Sequence, residues 1–120
     1  MAGKITRLEK LAMDEVSSVI AALPAPLAEP ARRVPVVFKA RPDSDDGQDD
    51  DLLGLFTGPE LADENSELLP PQIILFLENL WDEAAGNKSA FRKEVRITYL
   101  HELGHYLGLD EDELMKRGLE

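Results

Sequence analysis

Leu8, Ala12, Val16, Val19, Ile20 and Leu23 recur at intervals of three and four residues, with charged and polar side chains filling the positions between. That period is one face of an α-helix, and it predicts an amphipathic helix from Thr6 to Leu23. Thr6 and Glu9 have the spacing of a capping box that would start it, and Pro24, Pro26 and Pro30 end it. The pattern then shifts to short apolar runs. Val34 to Lys39 is rich in β-branched residues and reads as a strand, with Pro35 marking an edge or a strand start. Leu52 to Thr57 reads as a second short strand. Gln72 to Leu77, almost continuously apolar after Pro70 and Pro71, reads as the central one. Glu78 to Ala85 predicts a short helix closed by Gly86, in which Trp81 serves packing.

The longest pattern runs from Ser89 to Leu107. Its first half carries Arg92, Lys93 and Arg96, and its second half sets Leu100, Leu103, Tyr106 and Leu107 around two histidines. A helix apolar on most faces is expected to be buried, so His101 and His105 should lie inside the fold or at the floor of a cleft. Tyr99 and Tyr106 sit roughly 140–160° around the helix from His101 and read as core. Asp110 to Arg117 predicts a short terminal helix stopped by Gly118, with Met115 in the core. At 120 residues the chain reads as one domain over 1–120.

Charge narrows the partners. Twenty-four acidic against 13 basic residues give a net charge of −11, which argues against nucleic acid and anionic membranes. Six aspartates fall between Pro42 and Asp51, so the segment from about 41 to 51 reads as a solvated, flexible acidic loop that suits a basic protein partner. It is not a calcium-binding EF-hand loop, because a glycine at the sixth position would make Pro42 the first ligand. Glu9, Lys10, Asp14 and Glu15 interrupt the N-terminal helix, leaving no apolar core for a signal peptide or membrane span. A cytoplasmic location is the expectation. The chain has no cysteine, so a metal would be held by nitrogen and oxygen alone.

Both histidines of the chain lie in His101-Glu102-Leu103-Gly104-His105. Spacing of i and i+4 places two imidazoles on one helix face, where both reach one ion. Glu102, turned about 100° from His101, can approach a water on that ion without ligating it. This is the H-E-x-x-H arrangement of zinc peptidases, although imidazole also suits iron, cobalt and nickel. A catalytic zinc takes three protein ligands, and Gly108 can end the helix and turn the chain so that Asp110 swings back. Asp110 reads equally well as the N-cap of the terminal helix, with Glu113 at its third position. Glu94 shares the histidine stripe but lies about 10 Å away along the axis, too far for the same ion.

The stretch Val95-Arg96-Ile97-Thr98-Tyr99-Leu100-His101-Glu102-Leu103-Gly104-His105-Tyr106-Leu107-Gly108-Leu109-Asp110 resembles the small bacterial zincin-like metallopeptidases, also described as minimal metalloproteases. Weaker likeness extends over Leu52 to Phe56 and Pro71 to Phe76, and the N-terminal helix has a fitting length. The resemblance implies a compact α+β zincin-like fold, with a small mixed sheet packed against the N-terminal helix and the active-site helix, His101 and His105 as zinc ligands with Asp110 as the third, and Glu102 as catalytic base. It implies a hydrolase whose partner is a peptide or protein substrate. The alternative is a non-enzymatic, zinc-stabilised interaction module, which the shortness of the chain after Asp110 favours.

Overall fold

A three-stranded sheet and four α-helices form the computed structural model, which describes residues 2–46, 49–62, 70–110 and 112–113. The central strand β3 (Gln72–Phe76) has β1 (Val36–Lys39) parallel on one side and β2 (Gly54–Thr57) antiparallel on the other. The sheet is therefore mixed, and the class α+β, as the resemblance implies. Val36 lies beside Ile73 and Gly54 beside Leu75. Residues Ile73 to Phe76 are all buried, which is why this strand reads as an unbroken apolar run.

Helix α1 (Ala2–Ala22) starts four residues before Thr6, because Ile5 already lies on the apolar stripe and packs against the core. Thr6 is thus an exposed residue inside the helix, and the expected capping box with Glu9 does not form. A second correction follows at once. The prolines after Leu23 do not simply end a helix; they open another, α2 (Ala25–Arg33), with Pro24 at its N-cap and Pro26 in its first turn. First-turn amides have no helical partner, so a proline there loses nothing. Leu27, Ala28 and Ala31 are buried along one face of α2, and Val34 continues that apolar surface.

Leu77, expected as the last strand residue, is the first of α3 (Leu77–Glu83). Gly86 follows with φ of 73°, and the backbone turns into α4 (Lys88–Leu107), which Asn87 caps by accepting the Ala90 amide at 2.8 Å. Trp81 meets Phe91 edge-on at 5.6 Å, a packing role as predicted. Helix α4 is central to the packing: it touches β2 and β3 of the sheet and also α1 and α3. Most of the predicted terminal helix, including Met115 and Gly118, falls outside the described residues, but Asp112 and Glu113 are helical. No helix among the described residues is long and apolar enough to cross a membrane.

The aspartate-rich segment is tied to the sheet where it is described. A 3-10 turn at Ser44–Asp46 buries Asp46, whose two carboxylate oxygens each accept from Lys39 Nζ at 2.9 Å. Asn79 Nδ2 donates to the carbonyls of Asp50 and Leu52, and Arg41 pairs with Glu78 and Asp82 on α3. One of the six aspartates is therefore an internal anchor, which composition alone does not reveal.

Tyr99 is fully buried in α4, and its hydroxyl is the one buried side-chain polar atom without a hydrogen-bond partner among the described residues. Burial raises its pKa to about 12. An orphaned buried hydroxyl costs its desolvation, so Tyr99→Phe should stabilise the protein by about 1 kcal/mol. The folded-state pKa lies above the unfolded value of about 10, so ionisation favours the unfolded chain as pH rises. Wild-type stability should fall by about 2–3 kcal/mol between roughly pH 10 and 12, and Tyr99→Phe should lack that share. Denaturant titrations of both proteins at neutral and alkaline pH check the two signs; equal curves would reject them.

Candidate metal centre

Two stripes of α4 divide the work of the site. Thr98, Glu102 and Tyr106, spaced i, i+4 and i+8, are all buried. They face β2: the ring of Phe56 packs on Tyr106 at 5.8 Å, and the backbone of Gly54 lies against Thr98 and Glu102. The adjoining stripe carries Ile97, His101 and His105, all exposed. Of the two expected placements, inside the fold or at the floor of a cleft, the first is overturned here. The three-stranded sheet ends at β2, so it covers the Glu102 stripe and leaves the next one open.

The two imidazoles stand edge-on, with ring centroids 4.9 Å apart and Nε2 to Nε2 at 3.3 Å. Two nitrogens each about 2.0–2.1 Å from a tetrahedral ion are themselves about 3.3 Å apart, so the spacing of the pair matches that of two zinc ligands. Glu102 completes a group of three potential donor side chains whose ligand atoms lie within 4.8 Å of one another. Its carboxyl pKa is raised by burial, against the pull of His101, His105 and the Phe56 backbone amide. A buried carboxylate oxygen thus lies near both exposed imidazoles.

Asp110 stands apart from this group. Gly108 adopts the left-handed conformation with φ of 72° and ends α4, as its position predicts, with the Leu109 amide donating to the Gly104 carbonyl at 2.9 Å. Beyond the turn, Asp110 Oδ1 accepts from the Glu113 amide at 2.8 Å, and Glu113 Oε1 accepts from the Asp110 amide at 3.4 Å. That is the reciprocal capping box anticipated as one of its two roles. Its Oδ2 takes no part in the box.

Two further features come from the structure. The Leu61 amide donates to the Tyr106 carbonyl at 2.8 Å, pinning the segment after β2 to the last turn of α4 and bringing the Glu60 carboxylate beside Gly108. Gly54 is the second. A Cβ there would lie 2.6 Å from Thr98 Cγ2 and 3.3 Å from Glu102 Cγ, so only glycine lets β2 approach the helix this closely. Gly54→Ala should destabilise the fold by about 1–3 kcal/mol. Adding Thr98→Ser, which removes the obstructing methyl, should recover part of that loss in denaturant titrations. No recovery would place the obstruction elsewhere.

A family model described as a zincin-like metallopeptidase matches residues 31–119. It therefore takes in the whole sheet, α3 and α4, and leaves α1 outside. A comparison with curated proteins finds no match.

Proposed function

The chain belongs to the zincin-like metallopeptidase family, and from that membership we propose that it is a zinc-dependent peptidase in which His101 and His105 hold the metal and Glu102 is the general base. The observation that carries this reading is the convergence of one buried carboxylate and two exposed imidazoles within 4.8 Å. The 3.3 Å separation of the two Nε2 atoms supports zinc at that point. Asp110 would be the third ligand through Oδ2, the oxygen its capping role leaves over. Ligation and capping are compatible because a carboxylate has two oxygens.

Zinc bound there supplies Lewis acidity toward the scissile carbonyl and acidifies a water towards neutrality. The protein supplies the rest. Glu102 accepts the proton of the attacking water on its carboxylate and passes it to the leaving amine, while its burial keeps the carboxyl basic enough for the first step. Strand β2 supplies the substrate rail. Phe76 donates to Leu53, and antiparallel pairing then turns the backbone groups of Leu55 and Thr57 toward β3 and those of Gly54 and Phe56 outward, where the Phe56 amide already serves Glu102 and leaves the Gly54 groups and the Phe56 carbonyl for a peptide. An extended peptide that added to this edge would run beside the exposed histidine stripe.

The exposure of both histidines is what favours the other reading, a zinc-stabilised interaction module without turnover. The deciding experiment is hydrolysis of a peptide library by zinc-loaded protein, beside its Glu102→Gln variant. Cleavage by the wild type alone supports the peptidase. No cleavage at one zinc per chain leaves the module.

A further inference from the structure

The end of α4 remote from the histidines holds a cleft of about 460 Å³, a size that takes one or two side chains of a ligand. Leu8 and Leu11 of α1 and the indole of Trp81 form its apolar wall, and Arg7, Lys10 and Lys88 surround it. Asp14 is the one acid in the lining. In a chain with 24 acidic and only 13 basic residues, three cations at one opening are a local reversal of the overall charge. None of the three joins an ion pair among the described residues; Arg7 donates only to the Gly3 carbonyl. The Trp81 indole N–H likewise has no acceptor among them. The cleft therefore offers hydrogen-bond donors and positive charge around an apolar floor.

We propose that this cleft is an exosite for an acidic peptide segment carrying an apolar or aromatic side chain. The side chain would lie on Trp81, Leu8 and Leu11, and carboxylates would meet Lys10, Lys88 and Arg7. Charge complementarity selects the occupant: a basic segment is repelled here, and a neutral apolar one leaves the three cations unused. Repulsion from the acidic remainder of the molecule is screened beyond about 8 Å at physiological salt, so the nearest charges decide. Lys88 precedes His101 by thirteen positions on one helix, which sets the cleft about 20 Å from the histidine pair. An extended chain covers that distance in about six residues.

As a statement about substrates, the inference rests on the peptidase reading: it names proteins with an acidic, apolar segment at least about six residues from the cleaved bond. Such a contact supplies the affinity that an open histidine face lacks. Binding itself does not depend on catalysis, and it can be read directly because Trp81 is the sole tryptophan of the chain.

The probe is a capped peptide of four glutamates flanking a leucine and a phenylalanine, titrated into the 1–120 chain with a chelator present. A saturable change in Trp81 emission is expected, together with an approximately tenfold weaker Kd in the Lys10→Glu/Lys88→Glu variant. The same peptide with lysines replacing the glutamates should give no change. Both substituted lysines are exposed, and circular dichroism is the check that the variant is folded. No emission change and no heat of binding at millimolar peptide would overturn the exosite, as would equal affinity in the variant. Hydrolysis by zinc-loaded protein is scored separately, so an absent exosite and an absent peptidase are distinguished.

Discussion

Glu102→Gln is expected to lower hydrolysis by the zinc-loaded protein by a factor of about 10²–10⁴, with zinc content and fold retained. The size of the effect follows from the role: glutamine cannot accept the proton of the attacking water or return it to the leaving amine. Retention of the fold follows from the surroundings. Glu102 is only 8% exposed, packed between α4 and the backbone of Gly54, and glutamine has the same shape. Its amide oxygen still accepts from the Phe56 amide, which turns toward this side chain. In the metal-free protein the substitution also carries a pH signature. Burial raises the Glu102 pKa in the folded state, so the stability tied to its protonated form is present below the ordinary carboxylate range and is lost as pH rises through the folded value. The neutral variant should not show that loss. Parallel kinetics, metal analysis and denaturation at acidic and neutral pH test all three statements. A variant that loses zinc or unfolds would instead make Glu102 a structural group.

The parts of this molecule that were legible in its sequence are those where one local rule operates alone. The helix at 88–107 announces itself by length, by Gly108 past its end and by the histidine spacing; β3 announces itself by an apolar run that only a covered strand can carry. Residues 25–33 are illegible because proline reads as a helix breaker, whereas at the N-cap and in the first turn its missing amide costs no bond, and only Pro30 lies inside the helix. The exposure of His101 and His105 was illegible for a different reason. Helical periodicity orders the stripes of α4 around its axis, but how many of them a sheet covers depends on the number of strands and on where the edge falls. Gly54 did leave a signal: an isolated glycine inside a strand marks a close backbone approach. What it approaches, Thr98 and Glu102 some forty residues later, is fixed only by tertiary packing. Asp110 shows the converse, since both of its anticipated roles use the same turn and only one of them leaves a mark without a ligand.

Loss of a single imidazole should decide whether these histidines serve a metal. His101→Ala is expected to weaken zinc binding by at least about 100-fold, measured by competition with a chelator of known affinity, because removing one of so few ligands forfeits a large share of the site's free energy. The metal-free stability should change little by comparison. His101 is exposed, alanine favours the helix, and substitutions of exposed residues commonly stay within about 0.5 kcal/mol. Zinc linkage separates the two effects. A ligand present at 1,000 times its Kd stabilises the folded state by about 4 kcal/mol, and a 100-fold weaker site keeps only about 1.4 kcal/mol of that, so zinc should raise the Tm of His101→Ala by about a third of the wild-type shift or less. His105→Ala should behave alike, since its Nε2 is the partner at 3.3 Å. Asp110→Ala then resolves the third position. If Oδ2 ligates, zinc affinity falls together with stability; if Asp110 only caps Glu113, stability drops by about 1 kcal/mol while affinity holds. Unchanged zinc stoichiometry and affinity in His101→Ala would remove the metal from the site, and the peptidase with it, because Glu102 by itself has no acidified water to deprotonate.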